Sequence, residues 1–153
     1  MSGYPYPDAL WVLHVPEATP SLNTFVNKRS QFIYGKVRNR WLRHLRDAWY
    51  VAREGQRIRA GWAAPSRAKL TVHRSSLQLL DPDNLVGGVK PVLDALRKLG
   101  FIADDTPARL QLEVRQARAP TGSTLLVLDH WREACDLMDD GPTAAALLRG
   151  RTP

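Results

Sequence analysis

Between residues 35 and 60 the apolar side chains Val37, Trp41, Leu45, Trp49 and Ala52 recur every three or four positions. This spacing predicts one long amphipathic helix with a single apolar stripe. The other faces carry Lys36, Arg38, Arg40, Arg43, Arg46, Arg53 and Arg57. Across residues 28–74, 13 Lys and Arg stand against only Asp47 and Glu54, a local net charge of +11. The excess is not balanced by Glu at i,i+4, and Arg, whose planar fork suits phosphate, outnumbers Lys. The segment reads as a phosphate-contacting surface; the alternative is a solvated helix face. Trp41 and Trp49 lie on the apolar stripe and belong to core packing rather than base stacking. Trp62, in a loop near Gly61 and Pro65, is undecided between the two.

A chain of 153 residues fits one domain with a real core. Its net charge of +7 favours an anionic partner, most often nucleic acid and less often an acidic membrane surface. Cys135 is the single cysteine, which excludes an internal disulfide and a cysteine-cluster zinc site. Met1–Leu10 lacks the basic and apolar regions of a signal peptide, and no apolar run approaches the ~20 residues of a membrane span. The expected compartment is the cytoplasm, with no membrane partner.

Residues 1–9, with Gly3, Pro5 and Pro7, form an irregular arm. Leu10–Val15 is a short strand stopped by Pro16, with His14 as a partly exposed strand residue. Residues 16–34 read as a loop rich in turn formers, where Asn23 either holds a backbone turn or reaches toward a phosphate. Ala68–Arg74 is a second strand. Arg109–Arg115 alternates as a half-buried strand, Pro120-Thr121-Gly122-Ser123 is a turn, and Thr124–Leu128 returns, so the pair reads as an antiparallel hairpin. Residues 130–153 form a tail with short helices expected at Trp131–Met138 and Thr143–Leu148, broken by Gly141-Pro142. Asp139 and Asp140 read as solvated loop acids.

Residues 81–105 hold five of the fifteen acidic residues in an otherwise basic chain. Asp81 and Asp83 stand two apart, and Asp104-Asp105 follows about twenty residues on. Such carboxylates suit Mg²⁺ or Mn²⁺, which take oxygen ligands and need few from the protein. Short acidic pairs also serve as helix caps and turns, and the residues alone leave both uses open. An EF-hand is excluded, because its fifth and twelfth positions would be Leu85 and Val92. Between the acids, Val89, Val92, Leu93, Leu96 and Leu99 form a helical stripe that ends at Gly100, a C′ residue. Pro91 sets the helix start near residues 88–90, so Lys90 sits in the first turn, close to the carboxylates. Lys90 either contacts a scissile phosphate or pairs with Asp94.

The segment resembles the RusA family of Holliday junction resolvases. The family pattern stands here as Asp81-Pro82-Asp83-Asn84, Lys90, Asp94-Ala95-Leu96, Gly100-Phe101 and Asp104-Asp105. Pro20-Ser21-x-Asn23 after the first strand is similar to the family's N-terminal loop, and the likeness spans residues 10–129. The resemblance implies a small dimeric protein of the α/β (α+β) class, a mixed sheet packed with two main helices. It implies an endonuclease of recombination and repair, dependent on Mg²⁺ or Mn²⁺, that cuts four-way junction DNA. It implies metal-binding carboxylates at Asp81, Asp83 and Asp105, with Asp104 beside them, and Lys90 as the catalytic lysine. Metal held there would polarise the phosphate and help to generate hydroxide. The candidate DNA contacts are Asn23, Lys28, Arg29, Lys36, Arg38, Arg40, Arg43 and Arg46. Two departures stand out. The Asn84–Lys90 spacer is longer than in the best-known form and contains Gly87-Gly88, and Ser75–Leu80 carries no positive charge where the family can be arginine-rich. A junction-binding protein that does not cut, and a metal-dependent nuclease on other branched DNA or RNA, are the competing readings.

Overall fold

The computed structural model describes residues 6–26, 30–55 and 61–133. In chain order these form strand β1 (Trp11–Val15), a single 3-10 turn (Leu22–Thr24) and helix α1 (Ser30–Gly55). Then come strand β2 (Ala68–Ser76), helices α2 (Pro82–Gly87) and α3 (Lys90–Lys98), and strands β3 (Leu110–Arg118) and β4 (Ser123–His130). The class is α+β: a four-stranded mixed sheet in the order β1-β4-β2-β3, packed with two main helices, α1 and α3.

The strand register explains the core. Trp11, Leu128 and Leu70 lie in one cross-strand row, and Leu13, Leu126 and Val72 in the next. All six are fully buried, together with Trp41 and Leu45 of α1 and Val92 and Leu96 of α3. Each such side chain contributes about 1.5–3 kcal/mol by leaving water. The α1 stripe is therefore inside, as its spacing predicts.

The predicted hairpin does not form. β4 lies between β1 and β2, antiparallel to both, while β3 pairs in parallel with the far side of β2. Burial decides this arrangement. Leu126, Val127 and Leu128 are fully buried, which demands an interior strand. β3 alternates apolar residues with Glu113, Arg115 and Arg118 and keeps much of its surface exposed, as an edge strand does. A parallel β2–β3 pair also requires a crossover, which α2 and α3 supply.

Helix α1 starts at Ser30, inside the stretch predicted as loop. Its first turns are held by Ile33 and Tyr34, which pack on the core and outweigh the local penalty at Gly35. The α3 stop is as predicted. Gly100 adopts a φ of +74°, its N–H donates to the Arg97 carbonyl at 3.0 Å, and the Phe101 N–H donates to the Leu96 carbonyl at 3.0 Å. This pair of bonds is a Schellman turn, which glycine adopts without steric cost. Phe101 then stacks on Trp49 with ring centroids 3.9 Å apart. Trp62 packs edge-on against Trp49 and donates its indole N–H to the Gly100 carbonyl at 3.2 Å, so it too is a packing residue.

β4 runs through His130, and Trp131–Glu133 are not helical. The rest of the expected tail helices, Asp139 and Asp140, residues 1–5 of the arm, and the candidates Lys28 and Arg29 lie outside the described residues. Among the described residues no helix is long and apolar enough to cross a membrane.

Candidate functional site

Asp81 is the N-cap of α2, with Pro82 in the first turn, where a proline loses no hydrogen bond. Its carboxylate accepts from the Asn84 backbone N–H at 3.0 Å and from the Asn84 side-chain amide at 2.6 Å. These two hydrogen bonds hold the Asp81 carboxyl below the usual carboxylate range. The capping role that acidic pairs often play is thus present here. Asn84 also faces the other way. Its side-chain oxygen accepts from the Ser21 hydroxyl at 3.0 Å and from the Asn23 N–H at 3.1 Å. One amide therefore joins the Pro20-Ser21-x-Asn23 loop to the Asp-x-Asp-Asn motif. The two chains of atoms come very close: a Cβ built on Gly88 would lie 1.7 Å from the Pro20 carbonyl oxygen.

Two residues outside the motif fix the approach to Asp81. Arg74, on the core-facing side of β2, is buried and donates to the Thr19 carbonyl at 2.9 Å and the Gln78 carbonyl at 3.0 Å. Burial lowers its pKa from the ordinary arginine value. Gln116 of β3 accepts from the Leu80 N–H at 2.9 Å and donates to the Leu80 carbonyl at 2.6 Å, as a neighbouring strand would. Neither contact is readable from local pattern. Arg74 leaves one trace, a cation on the inward-facing parity of a strand.

The return after Gly100 brings Asp105 back to the start of α3. The Lys90 ammonium lies 2.5 Å from Asp105 and 3.1 Å from Asp94. Arg97 lies 3.4 Å from Asp105, 3.6 Å from Asp104 and 3.8 Å from Asp94. The Lys90 hydrogen bond holds the Asp105 carboxyl low, and the same bond raises the Lys90 pKa. Asp104 accepts from the Asp105 N–H at 2.9 Å and the Thr106 hydroxyl at 3.3 Å, so it shapes the turn. Asp94, with one oxygen on Lys90, takes the Tyr34 hydroxyl of α1 on the other. Burial, then Asp94, pushes the Tyr34 pKa up, so the phenol stays a donor. Lys90 thus makes both the expected pair with Asp94 and a second one with Asp105, and Asp105 reaches it within the same chain. Arg97, which the helical spacing puts off the apolar stripe with Lys90 and Asp94, belongs to this cluster, as does Tyr34, which no sequence pattern marks.

Asp83 is exposed in the first turn of α2, where its charge favours the helix dipole. Oxygen-only donors, with Asp81 and Asp105 held ionised, suit a hard cation in kind. They are not gathered as one cluster: among the described residues no group of three or more His, Cys, Asp or Glu is placed to hold a metal.

The cationic candidates divide into two sets. Lys36, Arg40, Arg43 and Arg46, with Asn39 and Leu42, line an open groove of about 540 Å³ along α1. Lys36 lies over the Phe32 ring at 4.4 Å, and Arg40 pairs with Glu17 at 2.7 Å. Glu17 also holds His44 at 2.6 Å. Arg43 and Arg46 make no ion pair among the described residues. Arg38 does not line the groove; it lies half-buried near Tyr34, with its Nε unpartnered among the described residues. Asn23 lies in the 3-10 turn and is exposed, and its backbone N–H donates to the Ser21 hydroxyl oxygen at 3.3 Å.

No protein-family model matches the chain, and no curated protein matches it.

Proposed function

We propose that the chain is a metal-dependent endodeoxyribonuclease that hydrolyses phosphodiesters in four-way junction DNA. The observation that carries this reading is the return of Asp105 to Lys90, because it brings the far end of the acidic motif back to the lysine at the start of α3. That ammonium has three donors, two of them taken by Asp94 and Asp105, so one remains for a phosphate oxygen. Lys90 would offset charge building on the phosphate in the transition state. Asp81, Asp83 and Asp105, with Asp104 adjacent, would hold Mg²⁺ or Mn²⁺. Such an ion supplies Lewis-acid polarisation and a bound water of lowered pKa. The α1 groove would bind DNA arms through Lys36, Arg40, Arg43 and Arg46, with loss of affinity as salt rises. The family likeness adds a homodimer.

A second reading, a junction-binding protein that does not cut, is favoured by the pairing of the Asp105 carboxylate with Lys90 and Arg97 and by the absence of a gathered metal cluster among the described residues. Nicking of a synthetic four-way junction, a flap, a duplex and an RNA hairpin, with and without Mg²⁺, separates these readings. Cleavage of the junction only with Mg²⁺, lost in Asp83→Asn, supports the nuclease. Metal-independent binding without nicking supports the binder. An Asp83→Asn protein as fast as the parent sinks the carboxylate assignment.

A further inference from the structure

The geometry points to Tyr34 as the positioning residue for Lys90, an inference that rests on the nuclease reading above. The Asp94 carboxylate has two oxygens with different tasks. One accepts the Tyr34 hydroxyl, and the other lies 3.1 Å from the Lys90 ammonium. Asp94 is itself mostly buried, with its side chain 17% exposed, whereas the Lys90 side chain is 53% exposed. A half-exposed lysine has many rotamers to choose from, and loses that freedom when fixed. Its position therefore depends on acceptors that do not move. Asp105 is fixed by its place in the turn after the Schellman cap. Asp94 sits on a helix, where its carboxylate can still swing about two side-chain bonds, and Tyr34 is what holds it.

Tyr34 is well placed to do this because its own ring is held. It packs edge-on against Phe25 at 5.4 Å and comes from the first turns of α1, the helix that packs against α3. Its raised pKa leaves the phenol protonated, so it donates to one Asp94 oxygen and leaves the other to Lys90. The chain of contacts from α1 to the ammonium is thus ring packing, phenol, carboxylate and amine. The same helix carries the cationic groove beginning at Lys36. Tyr34 therefore ties the surface proposed to hold DNA to the amine proposed to meet its phosphate.

Tyr34→Phe tests this, because it keeps the ring on Phe25 and removes only the hydroxyl. Junction cleavage is expected to slow about tenfold while junction affinity stays within about twofold. In a Lys90→Ala background the same substitution is expected to change the rate by less than about twofold, since Tyr34 acts through Lys90. Equal slowing in both backgrounds, or no slowing where Lys90 is present, overturns the proposal. The Lys90 Cε resonance gives a reading that needs no cleavage. Its side-chain order is expected to fall in Tyr34→Phe toward that of a free surface lysine, and an unchanged order overturns the positioning role. A parent protein that cuts no DNA sinks the nuclease reading, and the Lys90 resonance then decides the contact by itself.

Discussion

Asn84 donates its side-chain amide to the Asp81 carboxylate at 2.6 Å, while the oxygen of the same amide receives Ser21. A single planar group thus sets the orientation of an acid that the sequence alone leaves ambiguous between cap and ligand. Asn84→Ala removes both sides of that bridge. It is expected to cost about 1 kcal/mol of stability, in line with a lost partly buried hydrogen-bond set. Junction nicking should fall at least about tenfold, because Asp81 loses its fixed direction. Urea titration and nicking rates on the same preparation check both.

Gly88 and Gly35 make a matched pair. A Cβ at Gly88 meets the Pro20 carbonyl oxygen at 1.7 Å, backbone against backbone, and neither side can swing away. Gly88→Ala is expected to destabilise by about 2–3 kcal/mol. A Cβ at Gly35 meets nothing within 4 Å, and the residue is inside α1. Gly35→Ala should stabilise by about 0.5–1 kcal/mol, the ordinary helix gain. Denaturant midpoints of the two variants should move in opposite directions.

Glu17 is the acid that holds Arg40 and His44 at the margin of the α1 groove. Glu17→Gln frees Arg40 and adds one positive charge. Junction binding should tighten, and the slope of log affinity against log salt should steepen by about 0.9, the value for one more phosphate contact. Arg43→Ala and Arg46→Ala should each flatten it by about the same amount. Binding measured at several salt concentrations, without metal, gives the slopes.

His73 supplies the pH dependence. Its Nε2 lies 3.2 Å from the Tyr6 hydroxyl, and burial, then Arg115, lowers its pKa. The folded protein therefore takes up a proton less readily than the unfolded chain. The His73 contribution is fully present above the unfolded value of about 6.5 and is lost as pH falls from there through the lowered folded value. Equilibrium unfolding between pH 7.5 and 5 should show this loss, and His73→Asn should flatten the profile in that window.

Much of the frame was legible in local pattern. The stripe from Val37 to Ala52, the strands expected at residues 10–15 and 68–74, and the stop at Gly100 all follow from spacing and glycine chemistry. The hairpin was misread because a turn sequence between two strands says that they reverse, not that they are neighbours. The better signal was already in the residues: Leu125–Leu128 is apolar throughout, as an interior strand is, while Glu113 and Arg115 mark an edge. In the site, the motif residues were legible and their partners were not. Arg74, Gln116 and Tyr34 act across the fold, and no local periodicity reports a contact made over 36, 55 or 60 residues.

The placement of β4 has a consequence for how the molecule comes into being. Among the described residues Ser123–His130 is the last strand made, yet it is the only neighbour that β1 has in the sheet and one of the two that β2 has. A chain emerging from the ribosome therefore carries β1, α1 and β2 through residues 77–122 with no strand to join β1 to β2. The first strand must wait more than a hundred residues for its partner, a contact of high sequence separation that slows folding. A chain cut before Ser123 has a sheet with its centre missing.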